Sequence, residues 1–297
     1  MRWILLLIPL IMISTANALN IVVTFSNLKE DMKLIAPNDT IVSIVKPGVD
    51  PHSYQLTPKD VNTLKRADII ISTAHAPFEL KIRELVESGE IKARLVEIPR
   101  IPGIVLLKNP MTGKPNLHMP IYDPHNYEVF LKYVAKALSH LNPGGDYLIR
   151  AERVCREVDN IIEKTRKLNA LAVADQPESQ YAVHWLNVTI VGFLVREPEL
   201  PALPNDVRRI EREMSKVQLA VVLDTKTQAS ETLRRLAEEH GVPVLVIPSP
   251  IEDLSVIKKL EIISREVNEL KKPERKSPGF EVALCVLALL LAVKKCS

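Results

Sequence analysis

Cysteine is scarce in this chain, with three residues among 297, and two of them, Cys285 and Cys296, lie close to the C-terminus. Cys155 is the only thiol in the central part of the sequence. A single thiol cannot form an internal disulfide or a cysteine-rich metal cage. The central part must therefore be stabilised by its hydrophobic core, and any metal site there must be built from imidazole and carboxylate groups.

An excess of one charge is also lacking. The 39 Lys and Arg residues nearly balance the 36 Asp and Glu residues, and aromatic residues make up 4% of the chain. The basic residues are scattered among acidic ones, whereas a basic stripe with interleaved aromatics is typical of nucleic-acid binding. We therefore expect no nucleic-acid partner.

The signature motifs of common enzyme classes are missing as well. The sequence contains no Gly-x-Ser-x-Gly elbow, His-Glu-x-x-His helix, phosphate-binding loop or Gly-x-Gly-x-x-Gly turn. We predict that the protein is not an enzyme. A zinc hydrolase is kept as a remote alternative, because three histidines can hold zinc while water takes the open position.

The N-terminal apolar run, residues 3–13, is too short for a membrane span of about 20 residues. It follows Arg2 and precedes the small-residue sequence Ala16-Asn17-Ala18. This order predicts a signal peptide over residues 1–18 and a mature chain that begins at Leu19.

The C-terminal residues 271–297 combine a polar linker, the sequence Pro278-Gly279-Phe280, a short apolar run and two lysines. This order resembles the archaeal sorting tails that are cut and replaced by a lipid. The alternative is a short anchor that is retained. Both interpretations place the body of the protein outside the cell, tethered to the outer face of the membrane.

Strand-like and helix-like segments alternate through the body. Short apolar runs predict strands at 20–24, 41–45, 68–72, 94–98, 171–174, 189–194, 219–223 and 243–247. Amphipathic stretches between them predict helices, and apolar runs of this kind suit parallel sheets covered on both faces. We therefore predict an α/β fold of two lobes, residues 19–142 and 171–270, each a mostly parallel sheet flanked by helices.

A long helix is predicted within the connection at residues 143–170. Residues 146–168 are charged, free of proline and glycine, and carry apolar side chains at helical spacing. A helix of this length would measure about 34 Å, the diameter of a small domain. Such a connector is stiff, so we expect a cleft between the lobes with limited hinge travel.

Three histidines follow predicted strands or stand in loops of the first lobe: His52, His75 and His118. In open α/β sheets, ligands bind outside the carboxyl ends of the strands, in the crevice between the lobes. Neutral imidazole suits Zn²⁺ and other borderline divalent ions. These loops therefore predict a metal site, although His52 and His75 are also consistent with ordinary turn histidines.

The loop over residues 47–54, with the sequence PGVDPHSY, is the most specific motif of the chain. Together with Thr57-Pro58-Lys59-Asp60 and the long helix, it resembles the solute-binding proteins of zinc and manganese ABC importers, in the cluster with a rigid linking helix. The resemblance implies His52 and His118 as the first two metal ligands. It also implies Zn²⁺, or alternatively Mn²⁺ or Fe²⁺, as cargo, and a permease with its ATPase as partners of a monomeric protein.

The second lobe departs from the family pattern. Gln176 stands where the family usually has a histidine, and Ser249 stands where it usually has an aspartate. We expect His75, Glu178 and Asp224 to replace them, although Asp224 could equally cap the helix that follows. The alternative is a metal chelate or another small solute, whose own groups would complete the coordination.

The remaining histidines are assigned structural roles. We expect His184 to lie on a helix packed against the sheet and His125 to begin the helix after Pro124. His140 and His240 stand near predicted helix ends, where capping is expected.

Overall fold

The computed structural model describes residues 18–46, 49, 53–197 and 201–270, and these form two α/β lobes. The first lobe contains β1 (Asn20–Phe25), α1 (Ser26–Ile35), β2 (Thr40–Val45), α2 (Pro58–Lys65), β3 (Ile69–Ser72), α3 (Pro77–Glu87), β4 (Arg94–Glu97) and α4 (Pro124–Leu141). The chain then runs through α5 (Tyr147–Lys164), β5 (Ala170–Ala174), α6 (Ser179–His184), β6 (Val188–Phe193), α7 (Pro204–Met214), β7 (Leu219–Leu223), α8 (Gln228–Glu239), β8 (Val244–Ile247) and α9 (Val256–Glu269).

Each lobe is built on a parallel four-stranded sheet, in the order β2-β1-β3-β4 and β6-β5-β7-β8. The central strands β3 and β7 are buried along their whole length, because helices cover both sheet faces. The fold class is therefore confirmed, and each strand ends within one residue of its predicted bound. The parallel order places the carboxyl ends of all four strands of a sheet at one edge.

The linking helix α5 is shorter than predicted, with 18 residues and a length of about 27 Å. The helix ends at Lys164 because the backbone of Thr165 is extended. The Thr165 hydroxyl donates to the carbonyl of Ile161, 2.5 Å away. The same hydroxyl lies 2.6 Å from the Ser264 hydroxyl of α9. One face of α5 is buried against α1, α4 and α9, so it packs on helices from both halves of the chain.

Several predictions concern residues outside the described part: the signal peptide, the C-terminal tail and the loop that carries His52. Across residues 18–270 with their gaps, no helix is both long and apolar enough to span a bilayer. The predicted domain bounds also stay predictions.

Candidate metal centre

The position of His75 is fixed by the buried carboxylate of Glu79, in the first turn of α3. Glu79 accepts hydrogen bonds from the backbone amides of Thr73, His75 and Ala76 at 2.7–2.9 Å. The chain reverses at Ala74, whose φ is 54°. The loop after β3 is thus folded around one carboxylate, and it carries the His75 imidazole into the cleft between the lobes.

His118 is held by Asn116. Asn116 Oδ1 lies 2.9 Å from His118 Nδ1 and 3.0 Å from the His118 backbone amide. The Asn116 amide donates its own hydrogens to the carbonyl of Pro177 and to Gln180 Oε1, both at 2.9 Å, which fixes which end of the amide is oxygen. His118 Nδ1 must therefore carry a proton, and neutral His118 presents the lone pair of Nε2.

His75, His118 and Glu197 converge on one point. His118 Nε2 lies 3.0 Å from His75 Nε2 and 3.1 Å from Glu197 Oε2. One ligand atom from each residue lies within 4.8 Å of the other two. An imidazole lone pair and a carboxylate oxygen repel each other at such a distance unless a cation or an extra proton lies between them, so the arrangement suits a bound cation.

The group opens onto a cleft of about 210 Å³. Three further residues considered above line its walls: Gln176, Glu178 and Ser249. Asp224 does not line the cleft and is exposed. The chain turns tightly at Asp224, where the Thr225 amide donates to the Leu223 carbonyl at 2.8 Å; Leu223 and Thr225 line the cleft, and Asp224 between them does not. The structure therefore does not bring Asp224 to the histidines.

Residues 21–257 match the family described as ZnuA, the periplasmic zinc-uptake complex component A. The chain belongs to this family. Its members are periplasmic metal-binding components of ABC importers, so the family consists of solute-binding proteins rather than enzymes.

Two relatives and a solved structure agree with this assignment. The chain is 24% identical to the iron-binding protein YfeA of Yersinia pestis over 243 residues, 76% of each protein. It is 20% identical to the metal ABC transporter substrate-binding lipoprotein SloC of Streptococcus mutans, over 76% of this chain and 79% of that protein. The fold resembles that of FpvC from Pseudomonas aeruginosa in complex with Mn²⁺, with TM-score 0.68 and 15% identity over 85% of this chain and 99% of that one.

Glu197 is the member of the group that sequence reasoning missed. It follows the carboxyl end of β6 in the second lobe and is about half exposed. The rule that located His75, namely a ligand just after the carboxyl end of a parallel strand, points equally to the loop after β6. The predicted strand at 189–194 was therefore the signal that could have found Glu197.

Four other histidines in the described part of the chain lie away from this group. His184 ends α6, and its Nδ1 lies 3.2 Å from Asp123 Oδ2, a hydrogen bond that raises the pKa of His184. His140 donates to the Lys136 carbonyl in the last turn of α4, and His240 is the C-terminal cap of α8. His125 lies in the first turn of α4, where its backbone amide donates to Asp123. These positions agree with the structural roles expected from the sequence.

Proposed function

We propose that this protein captures a divalent metal ion, Zn²⁺ in the first place, in the cleft between its lobes. It then delivers the ion to a membrane permease driven by a cytoplasmic ATPase, and it acts as a monomer tethered outside the cell. The observation that carries this proposal is the convergence of two imidazole nitrogens and one carboxylate oxygen within 4.8 Å.

The proposed ligands are His75 Nε2, His118 Nε2 and a carboxylate oxygen of Glu197. Two imidazoles and a carboxylate form a donor set that suits zinc, and the same groups also accept manganese, iron or nickel. The family resemblance adds His52 as a further ligand from the loop before α2. Glu178 lines the same cleft and is an alternative carboxylate ligand from the second lobe.

The test is a calorimetric titration of the secreted protein with Zn²⁺, Mn²⁺, Fe²⁺ and Ni²⁺. We expect His75→Ala and His118→Ala each to weaken zinc binding by about 100-fold or more, because even outer-shell changes cost about 10–100-fold. We expect Glu197→Gln, which keeps the shape and removes the charge, to weaken it less. The matched control is His184→Ala, a histidine outside the group, which should bind zinc as the parent does.

Parental zinc affinity in the His75→Ala, His118→Ala double variant would refute the assigned site. Because imidazole must be neutral to bind a metal, zinc affinity should also fall as the pH drops through about 6.5.

A second candidate cargo is a metal chelate or another small solute. The cleft of about 210 Å³ corresponds to roughly seven waters in the liquid, far more than a bare ion requires. Its second-lobe wall carries amide and hydroxyl groups at Gln176, Thr225 and Ser249, and the family usually has metal ligands at the positions of Gln176 and Ser249. Native mass spectrometry of protein purified from its own host distinguishes the two: a mass increase of the metal alone supports free ion as cargo, and an additional organic mass supports the chelate.

A further inference from the structure

Two carboxylates accept hydrogen bonds from backbone amides where β1 begins. The Leu19 amide nitrogen donates to Asp39 Oδ1 at 2.8 Å, and the Asn20 amide donates to Asp68 Oδ2 at 2.7 Å. The Leu19 carbonyl accepts a hydrogen bond from Thr40, and the Leu19 side chain is 7% exposed. The backbone nitrogen of Leu19 is therefore held at a fixed place against a carboxylate.

The Asp39 carboxylate can accept more hydrogen bonds than the one from the Leu19 amide. Asp39 Oδ2 is buried and accepts no hydrogen bond of normal geometry from the described residues. The Tyr147 hydroxyl is its neighbour: burial, then hydrogen bonding to Asp39, and to a smaller extent the charge of Asp39 raise the pKa of Tyr147 to about 12. An ionised carboxylate offers about four acceptor positions. A buried carboxylate oxygen that accepts no hydrogen bond costs free energy, because it has lost its contacts with water.

Room for a cation exists beside this carboxylate. A cavity of about 130 Å³ is lined by Ala18, Asp39, Asp146, Tyr147 and Arg150. The charged groups around Leu19 are Asp39 from the turn before β2, Asp68 before β3, and the pair of Asp146 and Arg150 on α5, whose charged atoms lie 3.6 Å apart. Three carboxylates against one guanidinium leave the surroundings net negative, which favours a positive charge at the Leu19 nitrogen.

We propose that Asp39 is the receiving site for the α-ammonium group that proteolytic cleavage between Ala18 and Leu19 creates. A peptidase that recognises the small residues Ala16 and Ala18 adds water across this peptide bond. The bond between the Ala18 carbonyl carbon and the Leu19 nitrogen breaks, Ala18 leaves as a carboxylate, and the Leu19 nitrogen becomes an ammonium. The same nitrogen then donates up to three hydrogens and forms a charge-assisted bond with Asp39, about twice as strong as a neutral one.

Processing would thus stabilise the first lobe by converting an amide contact into an ion pair. This inference is independent of the metal site, because it involves only the start of β1, the turn before β2 and the start of α5. The competing explanation is that Asp39 merely accepts one backbone amide, which it would do equally well in an uncleaved chain. The two explanations differ in whether the charge of the nitrogen matters.

The experiment begins with secretion of the full chain and determination of the N-terminus by mass spectrometry, which should give Leu19. Melting temperatures are then compared for the mature protein and for a protein extended by Gly-Ser before Leu19, which moves the ammonium away. Both are made in the parent, in Asp39→Asn and in Asp146→Asn, a control carboxylate of the same cavity. We expect the extension to lower Tm by roughly 2–4 °C in the parent, by somewhat less in Asp146→Asn, which removes only a more distant negative charge, and by least in Asp39→Asn.

The pH dependence and the ammonium itself give independent checks. A partner carboxylate raises the pKa of an α-amino group above its usual range of about 7.7–8.0, so the Tm gap should vanish as the pH rises above that raised pKa. The ammonium pKa, measured by NMR in the mature parent, remains informative even if Asp39→Asn does not fold. A different N-terminus, an ammonium pKa within the usual range, or an equal extension penalty in Asp39→Asn would each overturn the proposal.

Discussion

The hydrogen bonds of Asn116 lead to a prediction about metal affinity that separates positioning from ligation. Asn116 lies two residues before His118, binds its Nδ1 hydrogen, and is itself held by Pro177 and Gln180 of the second lobe. Asn116→Ala removes the acceptor that keeps the proton on Nδ1. The imidazole can then protonate at Nε2 or rotate, and each change removes the lone pair that the metal needs.

We expect Asn116→Ala to weaken zinc binding by about 10–100-fold, which corresponds to about 1.4–2.7 kcal/mol. The assay is competition with a chromophoric chelator at fixed pH and salt. A ¹⁵N NMR spectrum of the metal-free protein reports the tautomer directly, and the parent His118 should be protonated at Nδ1. A general loss of stability would not change the tautomer, so the two measurements together identify a positioning role.

The control is Gln218→Ala. Gln218 also bridges two backbone groups, the Leu171 amide and the Lys216 carbonyl, but at the opposite end of the second sheet from the cleft. It should bind zinc as the parent does. Parental affinity in Asn116→Ala, or a His118 that is protonated at Nε2 in the parent, would refute the reasoning.

Two further predictions concern the contacts between the lobes. Burial raises the pKa of Asp31 from 3.8 to about 6, although Val256 and Tyr127 donate to it. Between these pH values the folded state binds more protons at Asp31 than the unfolded state, so the parent loses stability as the pH rises from 4 to 6. Asp31→Asn lacks this titration and should gain stability relative to the parent over the same range, as measured by urea unfolding. A stability difference that does not change with pH would contradict this. The buried Tyr122 hydroxyl donates to the Pro248 carbonyl at 2.6 Å, so Tyr122→Phe should cost about 1 kcal/mol and lower Tm by roughly 2–4 °C, and an unchanged Tm would show that the bond contributes nothing.

Sequence reasoning located the strands well because each is a short apolar run between turn residues. The linking helix was predicted too long, since residues 165–168 have no helix breaker, and its end is set by hydrogen bonds of Thr165 with Ile161 and Ser264. Such a tertiary contact leaves no trace in local composition. Periodicity therefore predicted the existence of the helix, whereas the residue at which it ends is set by the contact of Thr165 with α9.

The candidate site was predicted in part for the same reason. His75 and His118 were expected to meet because the parallel topology brings their loops to one edge. The direction of Asp224 depends on the tight turn that follows β7, which composition does not fix, and Thr225 faces the cleft instead. Glu197 lies in a half-exposed loop with no periodic pattern of its own, so only its place after the predicted strand at 189–194 pointed to it.

Anomalous diffraction at the zinc absorption edge, from crystals of zinc-loaded protein, tests the central claim most directly. We predict one strong peak in the cleft, about 2.0–2.1 Å from the Nε2 atoms of His75 and His118, with a Glu197 oxygen completing the contact from the second lobe. A zinc peak elsewhere on the protein, or a peak in the cleft that neither imidazole contacts, would contradict the account.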